Sequence, residues 1–189
     1  MSIDTIKCIE TKRLIIRKFR QEDWKDLQEI SVSNANSEFA DCDEQWPTDD
    51  GGIQDVCGYF AEEDQFWAVE VKELKKVVCF INFNGINEET QSLNIGHIVN
   101  LKYAGNDYEY EALKALYNYG FLEFGVKEVS ATWTLTDKVK LAPLEKLGMK
   151  VVQTFMADKF VPDADGTVSQ FEGACLAVSR EDWITHPAE

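Results

Sequence analysis

The alternation of apolar and polar positions divides the chain into short strands and helices. Leu14, Ile15 and Ile16 lie between flanking Lys and Arg and predict a strand over 14–19. Asp23 then stands where a helix cap is expected, and Trp24, Leu27 and Ile30 recur at the spacing of one helical face. The polar stretch 33–52 fits neither period and predicts a loop. Ile53, Val56, Tyr59 and Phe60 form the stripe of a second short helix. Residues 66–71 and 77–83 are β-rich runs joined by five mostly charged residues, as in a hairpin, and 93–99 is a third run, all three expected to pair antiparallel in sequence order.

The strongest helical signal begins at Asn106 or Asp107. Ala112, Leu113, Leu116, Tyr117, Gly120, Phe121 and Phe124 recur at i, i+3 and i+4, and Gly125 supplies the stop. A strand over 129–135 follows, then a shorter helix closed by Gly148. Pro143 lacks the N–H that a helix interior requires, so this helix is expected to begin no earlier than Lys140. Runs over 150–155 and 171–178 read as closing strands, with an Asp165-Gly166 turn between them. The order β-α-α-β-β-β-α-β-α-β-β describes an α/β (α+β) sheet domain.

With 189 residues, no repeat and no long Pro/Gly/Ser-rich stretch, residues 1–189 fit one domain, which buries about 70% of its unfolded surface. The 44% hydrophobic and 28% charged residues match a globular protein rather than a disordered one. No signal-peptide core opens the chain and no run of ~18 apolar residues follows, so a cytoplasmic protein without a membrane partner is expected. Cys8, Cys42, Cys57, Cys79 and Cys175 are odd in number and widely spaced, which signals neither a disulfide framework nor a metal site. Thirty-four acidic against nineteen basic residues give a formal charge of −15, which opposes binding to nucleic acid.

Two stretches resemble a known family. Glu10-Thr11-Lys12-Arg13-Leu14-Ile15-Ile16-Arg17 is similar to the opening strand of GNAT acyltransferases of the ribosomal-protein N-acetyltransferase type, and Ile95-Gly96-His97-Ile98-Val99 through Tyr108 to Leu113 resembles their strand-loop-helix motif. Leu144-Glu145-Lys146-Leu147-Gly148-Met149 resembles the motif that follows. The resemblance implies a central mixed, mostly antiparallel sheet flanked by helices. It also implies transfer of an acetyl group from acetyl-CoA to the primary amine of a small molecule or a protein N-terminus, in a chain that pairs as a homodimer. A base or water relay takes the ammonium proton, and a backbone N–H in 95–100 steadies the oxyanion. The pyrophosphate lies at the start of the long helix, where free N–H groups and the helix dipole attract anions.

Carried over by motif, the cofactor-binding positions are Ile98, Val99, Gly105, Asn106, Asp107, Tyr108, Asp137 and Lys140. The acceptor-side positions are Asp41, Asp43, Glu44 and Trp46, and the proton-transfer candidate is His97, whose ordinary pKa near 6.5 suits that task. His186 lies in the tail.

Several of these depart from the family pattern. Asp107 stands where a glycine is usual, Asp137 where Asn is common, and Lys140 where a small hydroxyl residue is frequent. Asn94 replaces a frequent carboxylate and Leu176 a frequent tyrosine. Asp107, Glu109 and Glu111 put three carboxylates in or near the first turn of the long helix, and Asn106 followed by Glu109 has capping-box spacing. A carboxylate about 4 Å from a phosphate charge is opposed by roughly 4 kcal/mol at an effective dielectric of 20, and about 1.4 kcal/mol is tenfold in affinity. An inward Asp107 therefore abolishes cofactor binding, whereas an outward one is screened by solvent. The alternative to an enzyme is a GNAT-fold binding or regulatory module that has lost its donor site.

Overall fold

The computed structural model describes residues 8–123 and 125–185. The described strands form one eight-stranded sheet in the order β1-β2-β3-β4-β5-β6-β8-β7. They are β1 (Cys8–Glu10), β2 (Leu14–Lys18), β3 (Phe66–Val71), β4 (Lys76–Asn87), β5 (Ser92–Val99), β6 (Glu128–Thr134), β7 (Lys150–Asp158) and β8 (Gln170–Ser179). Every neighbouring pair is antiparallel except β5 and β6.

The helices are α1 (Trp24–Ala35), α2 (Asp50–Glu62), α3 (Tyr108–Asn118), α4 (Lys138–Lys146) and α5 (Arg180–Thr185). The apolar stripe of α1 and α2 places Leu27, Ile30, Ile53, Cys57 and Phe60 over Phe66, Ala68 and Phe80 to make one core. Leu113, Leu116, Tyr117 and Phe121 of the α3 segment join Leu141 and Leu144 of α4 in the other. Apolar stripes on opposite faces of one sheet thus produce two layers of helix. Phe124 and His186 lie outside the described residues.

Several expected boundaries are corrected. Helix α1 continues through Ala35 and α2 begins at Asp50, where Asp49 accepts a hydrogen bond from the Gly52 N–H, so the irregular stretch is shorter than 33–52. Asp23 makes no cap to α1. Its carboxylate accepts two bonds from Arg17 at 2.7 and 2.9 Å and one from the Arg20 N–H, closing a 3-10 turn instead. Helix α4 begins at Lys138, ahead of the expected start, with Pro143 inside it. Asp137 caps it by accepting from the Lys140 N–H, and the proline removes only the bond to Val139, which lies on the exposed side. The α3 helix passes into a π-turn over Tyr119–Glu123 before Gly125, whose φ of 69° ends it.

The pairing of β5 with β6 covers only Ser92–Glu128, Leu93–Val129 and Asn94–Ser130. Beyond these residues β5 continues against β4 and β6 continues against β8, so the sheet splits open between 95–99 and 131–134. Asn94 spans the last paired position, with its amide N–H donating to Ser130 Oγ at 3.1 Å.

Candidate active site

The split is filled from three directions. His97 projects from β5 and is fully buried at 0% exposure. Trp133 enters from β6, its ring centroid 5.2 Å from that of His97 in an edge-on arrangement. Glu109, in the first turn of α3, is 7% exposed and places Oε1 3.3 Å from His97 Nε2, without the alignment of a hydrogen bond. Both His97 nitrogens, Glu109 Oε1 and Trp133 Nε1 are buried without a hydrogen-bond partner. Four orphaned polar atoms so close together are unusual in a folded protein and mark the split as a place for polar chemistry.

Burial sets the protonation of this pair. The low-dielectric surroundings push Glu109 up to about 8, with Lys140 opposing the rise and Asp137 adding to it. The same desolvation, helped by the Lys140 charge, lowers His97 to about 3. Both groups are therefore neutral at pH 7.

Lys140 is the third occupant. Its place at a helix start suggests a solvated side chain or a free positive charge for the cofactor, yet the residue is 3% exposed. Its ammonium donates to Asn34 Oδ1 and Asp43 Oδ2, both at 3.0 Å, and lies 4.6 Å from the Trp133 ring centroid. A carboxylate, an amide oxygen and an aromatic face satisfy all three ammonium protons. Asp137 is held by its capping bond at the start of the same helix.

The three carboxylates at the start of α3 diverge. Asp107 occupies the N-cap position with φ 59°, the left-handed conformation that glycine adopts readily, and its side chain makes no capping bond. Its carboxylate is turned outward, 58% exposed and 3.0 Å from the Lys146 ammonium of α4. Glu111 faces the β1–β2 connection, where it accepts from Thr11 Oγ1 at 2.5 Å and from the Arg13 N–H and Nε at 3.0 and 2.6 Å. Partial burial raises its carboxyl, but those bonds and the Arg13 charge together outweigh it and draw the group below the usual range. Glu109 enters the split. The expected capping box is therefore not formed: the Asn106 amide donates to the Tyr103 carbonyl, and Glu109 is desolvated against His97.

The amides of the first α3 turn thus have neither intrahelical acceptors nor a side-chain cap. Arg13 grips the approach to the helix from the other side, donating to the Asn106 and Asp107 carbonyls at 2.9 and 3.3 Å and lying over the Tyr108 ring. A groove of about 110 Å³ runs between Gly105, Glu109, Pro143 and Lys146. A wider one of about 430 Å³ adjoins it, with Lys12, Arg13, Lys114 and Lys146 in its wall beside the carboxylates Asp107 and Glu111, which pair with Lys146 and Arg13.

The other expected positions are partly gathered and partly dispersed. Ile98 and Val99 contribute backbone to β5, while their side chains enter the two cores. Asp43 reaches the split through Lys140. Trp46 instead packs edge-on against Phe60 and Phe80. Glu44 is exposed, and Asp41 lies 3.7 Å from Lys159. Leu176 is buried between Ala131 and Val151. Two contributors escape sequence reasoning. Glu109 carries a capping pattern that hides its inward turn, and Asn34 is a polar residue on a helix face with no motif around it.

Comparison with known proteins bears on the fold. The acetyltransferase (GNAT) domain family matches residues 13–150. Among solved structures, a GNAT-family acetyltransferase from Bacillus anthracis is 22% identical with a TM-score of 0.75, over 92% of this chain and 99% of that one. A GCN5-related N-acetyltransferase from Brucella melitensis is 18% identical with a TM-score of 0.77, over 94% and 80% of the two chains. The ribosomal-protein-S5-alanine acetyltransferase from Vibrio fischeri is 13% identical with a TM-score of 0.72, over 94% and 99%. A comparison with curated proteins gave no match. The chain belongs to the GNAT acetyltransferase domain family. Its single, mostly antiparallel sheet flanked by helices is the fold of that family. No described helix is long and apolar enough to cross a membrane.

Proposed function

We propose that this protein is an N-acyltransferase that takes an acetyl group from acetyl-CoA and passes it to a primary amine, of a small molecule or of a protein N-terminus. The observation that carries the reading is the dispersal of the three carboxylates at the start of α3. With Asp107 on Lys146, Glu111 on Arg13 and Glu109 inside the split, no side chain caps the helix amides. The uncapped first-turn amides are suited to a pyrophosphate, and the adjoining groove offers Lys12 and Lys114 besides the Arg13–Glu111 and Lys146–Asp107 pairs to a phosphorylated ribose. Backbone of 95–99 along the open edge of β5 would orient the thioester and polarise its carbonyl.

Within the split, Glu109 is the group whose affinity for protons matches the task. A base held near 8 accepts a proton from an attacking ammonium with little loss of driving force. His97, neutral throughout the working range, lies 3.3 Å away as a relay. Activity should rise with pH toward a plateau above about 8. The test is release of free CoA thiol from acetyl-CoA with a panel of polyamines, aminoglycoside-type amines and peptide N-termini. Amine-dependent thiol release that falls by about 10²-fold or more in Glu109→Gln supports the reading. Binding of acetyl-CoA without turnover on any amine removes it.

One observation favours the module that has lost its donor site: the buried Lys140 ammonium lies over the Trp133 ring, which enters the split from β6. On that reading wild-type protein ignores CoA, and Lys140→Ser binds it.

A further inference from the structure

Lys140 is a buried primary amine to which the acyltransferase reading assigns no part. Its ammonium lies 4.6 Å from the Trp133 ring centroid, and the same ring meets His97, on the stretch of β5 that has left β6, at 5.2 Å. An amine that becomes a nucleophile once it loses a proton is thereby held beside Trp133 and His97, whose ring nitrogens are among the four unsatisfied polar atoms, where the acyltransferase reading puts a thioester. Asp43, which accepts one of the ammonium protons, keeps 23% of its side chain exposed and so links Nζ to bulk water. The amine is positioned, and it has a route by which to lose a proton.

We propose that Lys140 is itself an acyl acceptor, modified at Nζ by an acyl-CoA thioester bound in the split. The proposal rests on the acyltransferase reading for the presence of the donor. In the step, the ammonium gives one proton to Asp43 and from there to water. The free amine attacks the thioester carbonyl, the N–C bond forms and the C–S bond breaks. The CoA thiolate leaves and is protonated by the second amine proton. The products are an N-acyl lysine, free CoA thiol and one released proton, with no oxidant or further reactant.

The modification abolishes the charge that binds α4 to the loop before α2. An acyl-lysine has one N–H in place of three, so the ties to Asn34 and Asp43 cannot both persist, and Asp43 is freed to hold the ammonium of an external amine. The first turnover would thereby build the acceptor site for later ones.

The experiment incubates full-length protein with acetyl-CoA, follows intact mass, and maps the modified lysine by peptide mass spectrometry. Binding of non-reactive CoA is read in parallel by thermal shift. A second sample is treated with an N-hydroxysuccinimide acetate ester, which labels lysines by exposure and therefore reaches Lys140 last. The expected result is one acetyl group per chain, on Lys140 ahead of the exposed lysines, at a rate independent of protein concentration. In Lys140→Arg the acetyl-CoA-dependent mark disappears. A thermal shift with CoA but no acetyl on Lys140 overturns this proposal and leaves the acyltransferase reading standing. No shift and no mark overturns both. Labelling by acetyl-CoA in the same order as by the ester also overturns it, since the reaction is then by exposure alone.

Discussion

The two neutral groups in the split give stability a particular dependence on pH. Glu109 moves from 4.5 in the unfolded chain to about 8 in the fold, so between those values the folded state holds the extra proton. Its favourable contribution is fully present below pH 4.5 and is lost as pH rises toward 8. His97 moves from 6.5 to about 3, so its contribution is present above 6.5 and is lost as pH falls toward 3. From 4.5 to 6.5 the two effects cancel, and each acts alone outside that window. One proton is worth about 1.4 kcal/mol per pH unit, so Glu109 alone removes about 2 kcal/mol between pH 6.5 and 8.

Glu109→Gln isolates this term, because glutamine resembles the protonated carboxyl already present in the fold. Urea unfolding of both proteins at several pH values between about 5 and 8, extrapolated linearly to water, gives the difference in stability. All other titrating groups are shared and drop out. Wild type is expected to lose about 3 to 4 kcal/mol relative to the variant across that range. A difference that does not change with pH would refute the buried, proton-holding Glu109 and with it the assignment of the base.

Further outcomes follow from other parts of the fold. Arg17 bonds Asp23 and Glu70 inside the protein, at 2.7 and 2.8 Å, and Arg17→Ala should cost about 3 to 5 kcal/mol by leaving Asp23 charged and unpaired, measured by chemical denaturation. Asp107→Gly relieves a left-handed residue worth about 1 kcal/mol and gives up a half-exposed pair worth less, so the melting temperature should hold or rise while acetyl-CoA binds more tightly. Arg13→Ala releases Glu111 and the turn before α3, and should lower stability by about 1 to 3 kcal/mol in chemical denaturation and weaken acetyl-CoA binding in a calorimetric titration.

Much of the architecture was legible because local pattern and tertiary packing agree. The stripe from Ala112 to Phe121 does pack into the core that its spacing implies, and the three β-rich runs pair in sequence order. The ends of elements were less legible. Helix α4 accommodates Pro143 because the freed carbonyl is on an exposed side, a fact about tertiary position that the proline does not carry. Strand β1 is three residues long and α5 six, too short for a periodic signal.

At the site, residue types were legible and directions were not. Asn106 and Glu109 have the spacing of a local cap, but that option competes with partners remote in sequence. Arg13 claims Glu111 from 98 positions away, and Asp43 claims Lys140 from 97. Such pairings depend on which elements the sheet brings together. A helix-start lysine looks solvated until a split strand pair and an acidic loop close around it.

The most direct test of the whole is a calorimetric titration of wild-type protein with CoA at moderate salt, with Lys146→Ala alongside. Saturable binding by wild type, weakened by the lysine substitution, is expected if the amino end of α3 accepts the pyrophosphate. Heat-silent titrations for wild type, together with binding restored in Lys140→Ser, would show that the chain's own ammonium has closed the donor site.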